Sequence, residues 1–217
     1  MNQLLLDLLP KPLPSYDNFV PGINHEALAA LPCWQLSPGA NTGCYLWGDT
    51  GSGKTHLLRA SGFAYHDARE DSDLRTLSNE GESATPLAVD NVEALSPEGQ
   101  ECLFHAYNRC RTSQSALLAA GKVAPKDLAL REDLRSRLGY GLVYGLYPLS
   151  DEEKKQALRC LADLRTLSIN EQLMDYLITH APRDMGSLTA LLMALDRYSL
   201  EKKRPITLPL LREILYG

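Results

Sequence analysis

The sequence lacks what several large classes of protein require. No stretch approaches the ~18 consecutive apolar residues that cross a bilayer, so no membrane partner is expected. The opening MNQLLLDLLP has no basic segment ahead of its short apolar run, carries Asp7 inside it and stops at Pro10. That makes a poor secretory signal. The five cysteines are odd in number and never stand as C-x-x-C, so neither a disulfide framework nor a zinc site is signalled. A cytoplasmic, reducing location fits best. Basic excess is missing too: 22 Lys+Arg stand against 27 Asp+Glu, a formal charge of −5, the wrong balance for a protein that lives on nucleic acid. His25, His56, His66, His105 and His180 are scattered without metal spacing, and no internal repeat is apparent.

What remains is ordinary globular material: 217 residues, 44% hydrophobic and 23% charged, enough for one domain and a small appendage. From Pro10 to Pro14 every second residue is proline, which favours a stiff extended segment, so residues 1–14 read as a tether. Gly43-Cys-Tyr-Leu-Trp47 is an apolar run ending at Gly48, and Thr55-His-Leu-Leu-Arg-Ala60 opens a helical pattern. Further apolar runs at Pro86–Asp90, Ala116–Ala120 and Gly141–Gly145, with helical stretches between, predict an α/β domain over residues 15–149 with a parallel sheet covered on both faces. The polar stretch His66–Thr85 reads as a surface excursion. After Leu149 the texture changes. Ser150-Asp-Glu-Glu153 and Ser168-Ile-Asn-Glu171 are capping boxes, Leu188, Leu191, Leu192 and Leu195 form one stripe, and Thr207 caps a last helix, so residues 150–217 are expected to be all helical.

The strongest signal is Gly48-Asp-Thr-Gly-Ser-Gly-Lys54-Thr55, which fits G-x-x-x-x-G-K-[ST] in full and sits after a strand and before a helix. Glycines there let backbone N–H groups converge on phosphate oxygens at a helix N-terminus; Lys54 adds a point charge and Thr55 a hydroxyl for Mg²⁺. Gly48, Asp49, Thr50, Gly51, Ser52, Gly53, Lys54 and Thr55 are therefore candidate phosphate-binding residues, with His56 behind them. Asp90 closes its apolar run and is the candidate on the metal side with Thr55. The next residue is Asn91, which cannot take a proton from an attacking water. Hydrolysis within the chain would then borrow another carboxylate, such as Glu93, or be slow.

Several segments together resemble the DnaA/Hda branch of the AAA+ family, over most of the chain. Ser15-Tyr-Asp-Asn-Phe-Val-Pro-Gly22 is similar to the family's N-terminal box, which lines an adenine pocket, and gives that role to Tyr16, Phe19 and Val20. The Gly48–Thr55 loop is similar to Walker A, and Leu87-Ala-Val-Asp-Asn-Val-Glu93 to a Walker B in which asparagine likewise follows the aspartate. Asp133-Leu-Arg-Ser-Arg-Leu138 resembles box VII, which implies an arginine finger at Arg137. Read from the residues alone, Arg137 is as readily one of a solvated face with Arg131 and Arg135, between a helix and a Gly-Tyr-Gly turn. Tyr147–Lys154 resembles the start of the family's lid, and Pro182-Arg183-Asp-Met185 its sensor 2, giving that role to Arg183. Sensor 1 is unassigned, because Gly121-Lys122 follows the strand where the branch tends to show other residues. Gln3-Leu-Leu-Leu-Asp-Leu8 resembles the motif by which replication proteins dock on the bacterial sliding clamp: Gln3 for amide hydrogen bonds, Leu4, Leu6 and Leu8 as apolar anchors.

The resemblance implies a protein that binds ADP or ATP with Mg²⁺ and partners both the clamp, the beta subunit of DNA polymerase III, and the initiator DnaA. From the clamp it would present Arg137 to ATP on the initiator, switching initiation off. DNA would be reached through the clamp alone, since the chain stops where initiators of this type continue into a DNA-reading domain; self-assembly is left open. The alternative is a self-contained ATPase of helicase-loader or remodelling type, using Lys54, Thr55, Asp90 and Arg183 on its own ATP.

Overall fold

Apolar runs without alternation belong at the centre of a parallel sheet, where helices cover both faces. The computed structural model describes residues 13–38, 42–78, 85–165, 167, 169–182, 184–202 and 206–216, with the backbone alone at 78, 202 and 213–216. Gly43–Trp47 (β1), Ala64–Asp67 (β2), Leu87–Asp90 (β3), Leu117–Gly121 (β4) and Leu142–Gly145 (β5) form one sheet in the order β2-β3-β4-β1-β5. Every neighbouring pair is parallel, with Gly43 opposite Leu117, Val89 opposite Ala119 and Trp47 opposite Gly145. β3 and β4 are buried throughout, whereas the edge strands β2 and β5 are half-covered. Three of the expected strands begin one residue late, at Leu87, Leu117 and Leu142. β2 was not foreseen, because its sequence Ala-Tyr-His-Asp carries no apolar run.

The strand period of two divides the side chains between faces. Cys44, Leu46, Ala88, Leu118 and Ala120 meet Ala27, Leu31 and Trp34 of the helix His25–Leu36 (α1) and Leu57 and Leu58 of Lys54–Ala60 (α2). Tyr45, Val89, Leu117 and Ala119 face the other way, onto the short helix Arg75–Ser78 (α3), Pro97–Thr112 (α4) and Glu132–Tyr140 (α5). The stretch expected as a surface excursion is partly core: His66 and Asp67 finish β2, and Ala68, Leu74 and Leu77 are fully buried. Three small or medium apolar residues among acids and serines gave too little periodicity to read.

The chain divides between Pro148 and Leu149. Beyond it lie Asp151–Leu164 (α6), Glu171–His180 (α7), Met185–Lys202 (α8) and Leu208–Tyr216 (α9). Ser150 and Glu153 close a reciprocal capping box: the Ser150 hydroxyl accepts from the Glu153 N–H at 3.2 Å, and the Glu153 carboxylate accepts from the Ser150 N–H at 2.7 Å. For α7 the expected Ser168 cap lies outside the described residues; Asn170 caps instead, accepting from the Leu173 N–H at 2.9 Å. Leu188, Leu191, Leu192 and Leu195 are fully buried with Leu158, Leu173 and Leu177 in a core of this unit's own. No described helix is long and apolar enough to cross a membrane.

Candidate functional site

In an open parallel sheet the strands' C-terminal ends form the crevice where ligands bind. The loop after β1 lies there. Gly48 takes φ +150°, and a Cβ on it would stand 2.1 Å from the Leu146 carbonyl oxygen. Gly53 takes φ +97°, and a Cβ there would stand 2.5 Å from the Phe19 ring. Neither position admits another residue without rebuilding the turn. Asp49, Thr50 and Gly51 are exposed at the loop's crest, while Ser52 is buried.

Lys54, the first residue of α2, is 8% exposed. Its ammonium donates to the carbonyl oxygens of Gly48 at 2.6 Å and Asp49 at 2.9 Å, with the Ser52 hydroxyl at 3.5 Å. Burial holds its pKa below the ordinary lysine value; the charges of Asp90, Glu93 and Asp49 oppose that shift and Arg69 adds to it. A buried ammonium bonded to neutral oxygens, in a loop of left-handed glycines opening a helix, is a cradle whose charge an anionic phosphate would complete.

Asp90, 1% exposed, ends β3. It accepts from the Thr55 hydroxyl at 2.5 Å, the Tyr65 hydroxyl at 3.1 Å and the Asn91 N–H at 2.9 Å. Burial raises the Tyr65 pKa, and the charges of Asp90 and Asp67 raise it further. A hydroxyl and a carboxylate already within one hydrogen bond suit a Mg²⁺ that takes its other ligands from water and phosphate. Among the described residues no group of three or more His, Cys, Asp or Glu side chains could hold a metal alone. Asn91 has φ 56° and donates its amide to Asp67 at 2.8 Å, so its side chain is turned toward the end of β2.

The segment around Tyr16, Phe19 and Val20 is folded against the start of α2. Phe19 lies on Gly53 and 5.4 Å, ring to ring, from His56, whose Nε2 is 2.9 Å from the Ser15 carbonyl oxygen. Burial pushes the Tyr16 phenol up to about 12; its hydroxyl donates to Gln35 at 2.9 Å. Val20 follows, half-buried. The structure thus brings the loop, Asp90 and the N-terminal segment together. Gln35, Tyr65 and Arg69 were missed from sequence, the latter two because they sit on or after the unread β2.

Arg137 lies within the last turn of α5, which runs on through Gly139 and Tyr140, residues expected to form a turn. Its guanidinium stands 4.8 Å from the Phe104 ring centre and 5.5 Å from that of Tyr107, both on α4. It is therefore half-buried on aromatic faces, unlike Arg131, which is paired with Asp133 at 2.9 Å. The i, i+3 spacing of Phe104 and Tyr107 was the available signal for this platform. Gln3, Leu4, Leu6, Leu8 and Arg183 lie outside the described residues.

Residues 151–215 match the family model described as Hda, lid domain. Across 95% of its length the chain is similar to 97% of domain III of the replication initiation protein DnaA from Thermotoga maritima, at 23% identity and a TM-score of 0.71. AMPPCP-bound DnaA from Aquifex aeolicus matches at 20% identity, with 90% of this chain and 68% of that one covered and a TM-score of 0.68. A Thermotoga maritima RuvB variant matches at 18% identity over 94% of this chain and 71% of that one, with a TM-score of 0.64.

Proposed function

Because an Hda lid domain over residues 151–215 follows an AAA+ fold, the chain is an AAA+ protein of the DnaA/Hda branch, and we propose that it is a negative regulator of replication initiation acting on DnaA. The match of residues 151–215 to the Hda lid carries this reading. In it, the Gly48–Thr55 loop, Asp90 and the Tyr16–Val20 segment hold an adenine nucleotide with Mg²⁺, ADP being the expected ligand, and Arg183 takes the sensor 2 role. The nucleotide's chemistry is to supply a polyphosphate anion for Lys54 and the loop amides. Gln3, Leu4, Leu6 and Leu8 dock the chain on the DNA-loaded sliding clamp.

Arg137 is the arginine finger, supplied in trans to ATP on DnaA, where a planar cation stabilises charge spreading over the transferring phosphoryl group. Stacking on Phe104 and Tyr107 supports that role by limiting the rotamers of a long side chain without spending its N–H donors. Turnover within the chain is expected to be slow, since Asn91 offers no base and its amide is committed to Asp67.

The test is conversion of DnaA-bound ATP to ADP with DNA-loaded clamp, comparing wild type with Arg137→Ala and Gln3→Ala. Arg137→Ala should lower conversion by about 10³-fold or more, and Gln3→Ala should abolish clamp capture with nucleotide affinity unchanged. Conversion by Arg137→Ala at the wild-type rate would remove the finger; no conversion by wild type would remove the regulator.

A further inference from the structure

Glu93, the carboxylate that hydrolysis within the chain would have to borrow, is a charged side chain to which the nucleotide reading gives no part in binding. It stands in the 3₁₀ turn Val92–Ala94 directly after β3, at the same end of the sheet as Asp90. Both of its carboxylate oxygens are buried and accept no hydrogen bond among the described residues. Nearby donors are committed elsewhere: the Tyr45 hydroxyl to the Val123 carbonyl oxygen at 3.0 Å, the Thr55 and Tyr65 hydroxyls to Asp90, and the Asn91 amide to Asp67. The half-exposed Arg69 guanidinium forms a long ion pair with it at 3.8 Å, beyond hydrogen-bond range and weakened by solvent. An orphaned buried carboxylate is costly, and such groups concentrate where they are used.

The position of this carboxylate depends on Gly121, the last residue of β4. A Cβ on Gly121 would stand 3.2 Å from Glu93 Oε2 and 2.2 Å from the Tyr45 hydroxyl, so the missing side chain is what lets the carboxylate lie against the strand end. Its field reaches the loop, since Glu93 follows Asp90 among the charges that oppose the lowering of the Lys54 pKa. In loops of this type the lysine reaches the β- and γ-phosphates. The two carboxylates near it differ, however: the charge of Asp90 is spread over three hydrogen-bond donors, whereas that of Glu93 is met by no hydrogen bond and only by the half-exposed Arg69 cation at 3.8 Å.

We propose that Glu93 makes the nucleotide site discriminate against the triphosphate and in favour of the diphosphate. The third phosphate brings further negative charge toward a carboxylate with no hydrogen bond to neutralise it, and in a partly desolvated crevice that repulsion is weakly screened. The inference rests on the nucleotide reading of the Gly48–Thr55 loop.

Calorimetric titration of the full chain with ADP and with AMPPCP, both with Mg²⁺, tests it on wild type, Glu93→Gln, Glu93→Leu and Lys54→Ala. Both Glu93 variants should tighten AMPPCP relative to ADP by about tenfold, the size of one unit-charge repulsion attenuated over several ångströms of mixed protein and water. ADP affinity should stay within about twofold of wild type, which also reports that the variants are folded. An unchanged AMPPCP-to-ADP ratio would overturn the proposal. So would an equal gain for both nucleotides, because the repulsion would then act on phosphates they share, or a gain in the Gln variant absent from the Leu variant, because hydrogen bonding would then be responsible. Wild type that binds neither nucleotide, as Lys54→Ala is expected to behave, would overturn the nucleotide reading itself and this inference with it.

Discussion

At the scale of single residues, the loop's neighbourhood contains a group whose protonation opposes the fold. Burial lowers the pKa of His56 below its ordinary 6.5, and the hydrogen bond to the Ser15 carbonyl only partly offsets this. Between the depressed folded value and 6.5 the unfolded chain binds more protons than the folded one, so stability rises with pH across that window. Acidification from 6.5 downward should therefore lose stability, the loss being complete once pH has passed below the folded value. Comparing melting temperatures at pH 7.5 and 5.5, His56→Gln should lose less than wild type. An equal loss in both would show that His56 titrates as it does in the unfolded chain. Phe19 belongs to the same packing, since its ring touches both Gly53 and His56. The His56 contact and the glycine turn are thus one structure.

Among the elements, the segment between β2 and β3 shows how a helix can record what a loop conceals. Ser96 caps α4 by accepting from the Gly99 N–H at 3.0 Å, and its hydroxyl reaches Asp73 at 2.6 Å. The Ser96 N–H donates to the Ser72 carbonyl oxygen at 3.1 Å, and a Cβ on Gly99 would lie 1.9 Å from that same oxygen. A Gly in the first turn of a helix is otherwise unfavourable, so Gly99 marked a close approach that periodicity could not show. Gly99→Ala should cost about 1–3 kcal/mol, the usual range for forcing atoms into packed space, read as a fall in urea midpoint with unchanged slope. A change below about 0.5 kcal/mol would mean that the 68–78 segment is not held on α4. The central strands were legible because burial on both faces forces unbroken apolar runs, as in Leu87-Ala-Val89 and Leu117-Leu-Ala-Ala120. β2 was not, since an edge strand with half-covered residues has no such pattern. In the site the Gly48–Thr55 loop was legible through its fixed spacing. The pairing of Thr55 with Asp90 was legible from the two motifs, whereas the burial of Glu93 and the Arg137 platform depend on residues brought together from distant parts of the sequence, which only the fold states.

For the whole molecule, the decisive fact is that the buried apolar residues among those described fall into separate cores. The sheet's two faces bury a set each with α1 to α5, and α6 to α9 bury a third around Leu173, Leu177, Leu188, Leu191 and Leu195. The change of texture at Ser150 announced this division, because a capping box is a local device whose two bonds depend on no distant residue. Separate cores predict separate unfolding. Leu191, fully buried in the helical unit, should cost about 2–5 kcal/mol when cut to alanine, through lost transfer energy and the cavity left behind. Read by native-state hydrogen exchange, Leu191→Ala should strip protection from amides in α6, α7 and α8 while leaving those of β1, β3 and β4 at wild-type rates. On the nucleotide reading, saturating ADP should add protection to the sheet strands of the wild type, because the Gly48–Thr55 loop and Asp90 belong to that unit and a bound ligand stabilises it by mass action. Equal loss of protection in β1, β3 and β4 would instead show a single cooperative unit, in which the helical core is part of what holds the Gly48–Thr55 loop in place.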